Sequence, residues 1–149
     1  MSTVLERIKA ELAAFEAKKK AFVEELRNEF PTMFLPLFEK SKKIASISWT
    51  QYTPYFNDGD SCEFGVNLDF DYGGVNVFDE DGDIDEESSP DFMSPGHKDY
   101  DAAESAIVTE FQETLSSIPD EFYKDLFGDH VRVTITRDGK IDVSEYDHD

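Results

Sequence analysis

The stretch Cys62-Glu63-Phe64-Gly65-Val66-Asn67-Leu68-Asp69-Phe70-Asp71 alternates apolar and polar positions along its length. Successive side chains of an extended chain point to opposite faces, so Cys62, Phe64, Val66, Leu68 and Phe70 share one face. The period predicts a strand with one buried and one wet side, the habit of antiparallel sheets. On that phase Cys62 reads as a buried, inert thiol rather than a nucleophile.

Upstream, the period of two begins at Ile44, carries Ile47 and Trp49, and breaks at Thr53-Pro54-Tyr55. Asn57-Asp58-Gly59-Asp60 is a turn signal, because these residue types tolerate positive φ. Downstream, Gly73-Gly74 followed by Val75 and Val77 predicts a third strand. Near the C-terminus Val131, Val133 and Ile135 alternate, Asp138-Gly139 turns the chain, and Ile141 and Val143 alternate on the way back, which predicts a hairpin.

Helical periods flank these strands. Thr3 and Glu6 have capping-box spacing, and Leu5, Ile8, Leu12, Phe15, Phe22 and Leu26 recur at steps of three and four, with Lys19 in the one broken place. They form a narrow apolar stripe on one long helix that stops before Pro31. The stripe can lie across the protein's own sheet, the reading preferred for so short a heptad run, or serve as a seam between two chains. A helical turn over 33–38 follows. A second helix starts near Asp99 or Asp101 and buries Tyr100, Ala103, Ile107, Phe111 and Leu115, and a third runs from Pro119 to Gly128. Residues 79–96 form a loop with eight carboxylates, too polar to pack.

These elements predict an α+β fold, in which a long N-terminal helix and a C-terminal helical pair pack on a mainly antiparallel β-sheet of about five strands. The 149 residues read as one domain. Its parts are a helical arm (1–43), a β meander (44–78), the acidic loop (79–98), the helices (99–128) and the C-terminal hairpin (129–149).

Residues 1–43 carry nine Lys/Arg and seven Asp/Glu, whereas residues 44–149 carry five and twenty-seven. The net charges of +2 and −22 sum to the chain's −20. Such a charge repels nucleic acid and anionic membrane and attracts cationic surfaces or metal ions. The lone cysteine, the missing signal-peptide pattern and the absence of a membrane-length apolar run predict a cytoplasmic protein.

Metal and enzyme motifs are weak. The run 79–87 offers Asp79, Asp81, Asp83 and Asp85 as candidate ligands for Ca²⁺ or Mg²⁺, but an EF-hand counted from Asp79 meets Ile84 where glycine belongs and Pro90 where glutamate belongs. A similar imitation over 134–145 is explained by the hairpin. The expected cofactor is none, apart from weak divalent-ion binding. His97, His130 and His148 make no metal spacing or nucleophile–base pair, so the chain reads as an interaction protein rather than an enzyme, with no catalytic residue assigned.

The segment 49–60 mixes Trp49, Tyr52 and Tyr55 with Gln51, Asn57 and Asp58. Rigid aromatics beside polar groups suit a binding surface, and equally a plugged corner at the end of a sheet. With the lysine-rich helix before it and the acidic insert after it, the block 49–62 resembles small acidic proteins of tailed bacteriophages. The resemblance implies a phage protein acting in the host cytoplasm. Such proteins include inhibitors that occupy DNA-binding clefts of host enzymes, so it also implies an interaction role. No catalytic residues carry over.

The expected function is therefore binding to a basic surface of a host protein, as a DNA mimic or as an inhibitor of a DNA-handling or defence enzyme. Carboxylates on a rigid scaffold can imitate the phosphate array of duplex DNA. The expected contacts are Glu63, Asp69, Asp71, Asp79, Asp81, Asp83, Asp85, Glu86, Glu87, Asp101 and Glu104. No direct nucleic-acid or membrane binding is expected, and the chain is a monomer or a homodimer through its N-terminal helix. The alternative is a small-ligand or divalent-metal module, or an enzyme, built around 49–60.

Overall fold

The computed structural model of the chain describes residues 3–54, 62–70, 74–78, 81–82, 84–85 and 90–146. The first helix, α1, spans Val4–Glu29. Its capping box is formed: the Thr3 hydroxyl accepts from the Glu6 N–H at 3.1 Å, and the Glu6 carboxylate accepts from the Thr3 N–H at 3.3 Å. Pro31 disfavours further α-helix, and the chain passes through a 3-10 turn (Phe30–Phe34) into α2 (Leu35–Lys40).

The strands are β1 (Ile44–Tyr52), β2 (Gly65–Asn67), β3 (Val75–Phe78), β4 (Ile84–Asp85), β5 (Val131–Thr136) and β6 (Ile141–Glu145). Every pairing is antiparallel, in the order β4-β3-β1-β5-β6. The central strand β1 gives one edge to β5, with Trp49 opposite Val133. Its other edge is shared: β3 pairs with its first half and β2 with its last three residues. Two further helices complete the fold, α3 (Ala102–Ser116) and α4 (Asp120–Phe127), the latter closed by Gly128 at φ +98°.

The helices bring aromatic side chains onto the sheet. Trp49 meets Phe30, Tyr123 and Phe127 at ring separations of 6.4, 5.9 and 6.2 Å, and Phe111 of α3 stacks on Phe34 at 5.8 Å. Tilted and edge-on pairs of this kind add about 0.5–1.5 kcal/mol each beyond their buried area.

Four expectations need correction. Sharing one edge of β1 leaves β2 room for only three paired residues, so the alternation over 62–71 outruns the strand. Phe64, Val66, Leu68 and Phe70 still pack inward, but Cys62 lies beyond the pairing and is exposed. On α3 the buried face is Glu104, Ile107, Val108, Phe111 and Leu115, while Ala103 and Tyr100 face water. The acidic loop is not wholly unpacked: Ile84–Asp85 pairs with β3, and Pro90 and Phe92 are buried, Phe92 in the core.

The fourth concerns α1, which meets the body only through its C-terminal turns. There Val23 and Leu26 rest against the core, Phe22 approaches Phe122 at 6.4 Å, and Lys19 Nζ lies 3.2 Å from Asp125 Oδ2. Toward the N-terminus Val4, Leu5, Ile8, Leu12 and Phe15 are 50–70% exposed. No described helix is long and apolar enough to cross a membrane.

Candidate functional site

The inward phase of β1 carries Trp49 and Gln51, and the fold uses both as internal ties. The Trp49 indole N–H donates to Gln51 Oε1 at 3.0 Å, and Gln51 Nε2 donates to the carbonyls of Tyr123 and Gly128 at 2.9 and 2.7 Å. Gln51 is fully buried and Trp49 is 3% exposed. As interaction residues, these two are corrected: they fasten β1 to α4, where an unpaired amide or indole N–H would be costly. Tyr52 is half-buried and packs on Tyr146 at 5.7 Å. Tyr55, Asn57 and Asp58 lie outside the described residues. Among the described residues, 49–54 is therefore a filled corner.

Asp129 closes that corner. Its carboxylate accepts from the Thr53 N–H at 2.8 Å and the Thr53 hydroxyl at 2.7 Å, and also from the His130 N–H at 2.9 Å. Burial alone would raise its pKa, but these bonds and the adjacent His130 hold it below the ordinary carboxylate range.

The acidic residues fall into two groups. Glu63 and Asp69 are exposed on either side of β2, and Asp81 is exposed in the turn between β3 and β4. Asp85 is placed by its backbone opposite Val77. Asp71, Asp79, Asp83, Glu86 and Glu87 lie outside the described residues. The second group is structural. Asp101 caps α3, accepting from the Ala103 and Glu104 N–H groups at 3.1 and 3.2 Å, and pairs with Lys43 at 3.3 Å. The bond from the Glu104 N–H is the main reason its carboxyl sits below the usual range. Glu104 is corrected outright: at 4% exposure its carboxylate is enclosed, accepting from the Ser41 hydroxyl and the Lys42 N–H.

Six of the body's eight cations are already engaged, Lys43 with Asp101 among them. Lys40 pairs with Glu110 and Lys140 with Asp138, and Arg137 donates to the carbonyls of Phe38 and Ser41. Lys124 lies over the Phe64 ring and Arg132 over that of Tyr146. Residues 30–149 contain eight Lys/Arg against twenty-eight Asp/Glu, so twenty carboxylates would remain uncompensated even if every cation neutralised one. Residues 1–29 carry six of each and are neutral.

One cluster was not foreseen. His97 Nε2 lies 3.6 Å from Asp91 Oδ2 and its Nδ1 lies 3.7 Å from Asp99 Oδ2, so one ligand atom from each residue falls within 4.8 Å of the others. Asp91 and Asp99 border a depression of about 380 Å³ that Lys42, Lys43, Phe78 and Phe92 also line. The histidine and aspartate two residues apart were the legible signal; Asp91 joins them through the 3-10 turn Asp91–Met93. Calcium takes six to eight oxygens, so an ion held by three water-facing groups would keep most of its own water.

Comparison with known proteins finds no family model, no curated protein and no solved structure that matches the chain.

Proposed function

We propose that the protein is an acidic interaction module that binds a basic surface of another protein, a host protein in the setting its sequence resemblance implies. The observation that carries this reading is the charge balance of the folded body. Six of its eight lysines and arginines are held by the protein's own carboxylates, carbonyls and rings, and Glu63, Asp69 and Asp81 are among the acids on its surface. Uncompensated charge on this scale destabilises the compact state, and a cationic partner would relieve it. It also steers association with a complementary surface. A DNA-binding cleft is a basic surface of this kind, and occupying it is the inhibitory form of the proposal.

The test is affinity capture from bacterial lysate on the immobilised protein, eluted by a salt gradient with duplex DNA as competitor. Basic proteins released between low and high salt, and displaced by DNA, are the expected result. Capture that survives high salt and the triple change Glu63→Gln, Asp69→Asn, Asp81→Asn would refute it.

A further inference from the structure

The uncovered face of α1 is the principal apolar feature left without a partner among the described residues. Leu5, Ile8, Leu12 and Phe15 are each at least half exposed, and so is Phe22, which meets Phe122 of its own body on one side only. Contiguous apolar faces of this kind mark interaction sites. With Leu5 at the first place of a heptad, Leu5, Leu12 and Lys19 occupy the a places and Ile8, Phe15 and Phe22 the d places. Lys9 and Glu16 then stand at e, and Glu11 and Lys18 at g.

We propose that this face binds a second copy of the chain, with the two α1 helices antiparallel and centred on the exposed stripe. In that register Leu12 packs on Phe15 of the partner subunit, Leu5 on Phe22 of the partner subunit, and Ile8 against the stem of Lys19 of the partner subunit. Antiparallel pairing sets e against e and g against g. Lys9 then faces Glu16 of the partner subunit, and Glu11 faces Lys18 of the partner subunit. Symmetry doubles each, so all four flanking contacts are attractive.

The parallel arrangement fails on the same residues. It would face Glu11 with Glu16 of the partner subunit and set Lys19 against its own copy in the seam. Charge on the larger scale agrees. Residues 1–29 are neutral and residues 30–149 carry −20. Antiparallel helices hold the two acidic bodies at opposite ends, whereas parallel helices would place them side by side. Lys19 keeps its ion pair with Asp125 of its own chain, at the edge of the seam.

Sedimentation equilibrium of the full chain tests this, with helicity followed by circular dichroism. A concentration-dependent dimer is expected, lost in Leu12→Asp, whose exposed position leaves the fold intact. Glu16→Lys should weaken association about tenfold, since two attractive contacts become repulsive, and Lys9→Glu with Glu16→Lys should restore it. A wild-type chain that stays monomeric at every attainable concentration would overturn the proposal and leave the stripe to a different protein. So would a dimer indifferent to Leu12→Asp. Tighter association of Glu16→Lys would show the helices to be parallel and overturn the antiparallel register.

Discussion

The Ser41 hydroxyl donates a 2.5 Å hydrogen bond to Glu104 Oε2, joining the end of α2 to the first turn of α3 across 63 residues of sequence. The other oxygen of Glu104 accepts from the Lys42 N–H at 2.6 Å, and Ser41 Oγ in turn accepts from the Ile44 N–H at 2.9 Å. A buried carboxylate thus organises the turn that launches the central strand. Glu104→Ala is expected to cost about 2–4 kcal/mol by leaving these donors unpaired, and Glu104→Gln less, because one acceptor survives. Urea denaturation measures both. Binding to a basic partner should be unchanged at equal fractions folded, which separates Glu104 from the water-facing acids.

The corner at Trp49 and Gln51 should respond in the same structural way. Gln51→Leu strands two carbonyls and an indole N–H at about 1–3 kcal/mol each, so a loss of several kcal/mol is expected. Trp49→Ala removes the hub of three ring contacts and is expected to cost about 3–5 kcal/mol. Thermal melts would show both. A Trp49→Ala variant that stayed as stable as the parent while losing a binding partner would return this residue to the surface.

Asp129 gives the corner a pH dependence. Its folded pKa lies below the ordinary aspartate value, so the stability it contributes is present above that ordinary value and is lost as pH falls through the lower folded value. Asp129→Asn should therefore be less stable than the parent by about 1–2 kcal/mol at neutral pH, the scale of hydrogen bonds to a charged group. The difference should close below about pH 4. Denaturation midpoints of the two proteins across pH 3 to 7 check the sign, and a gap that widened in acid would contradict it.

Gly74 is held at φ +95°, and its carbonyl accepts from the Ser48 N–H at 2.7 Å where β3 meets β1. A Cβ at this position would sit 2.3 Å from the Ser48 carbonyl oxygen. Gly74→Ala combines a left-handed backbone with a backbone clash, and is expected to cost more than about 2 kcal/mol. The change should lower the melting temperature clearly, and an unaltered melt would refute the geometry.

The fold was legible wherever a local rule acts without competition. Thr3 with Glu6, the stop at Pro31, and the Asp138-Gly139 turn between two alternating runs all appear as their residues predict. Reading failed where a long-range partner decides. The alternation at Cys62 is real, but the extent of β2 depends on β3 taking the same edge of β1. Glu104 looks like one more surface acid in so acidic a chain. Only its step to Ile107, Val108 and Phe111 betrays the inward phase, and only Ser41 and the Lys42 N–H, far away in sequence, make a carboxylate tolerable there. The stripe on α1 was visible in full, whereas how little of it the body covers was not.

The place of β1 between β3 and β5 also bears on how the chain is made. A protein is synthesised from its N-terminus, and β5 begins only at Val131 of a 149-residue chain. Until that segment emerges, β1 lacks its neighbour on one edge, and Val133 and Ile135, which pair with Trp49 and Ile47, are missing from the interior. Closing so long a loop is the slow step in sheets built from distant strands. Folding of the sheet is therefore expected to wait for β5. A chain cut before residue 131 would present an open strand edge, prone to pairing with other chains, instead of a smaller stable fold.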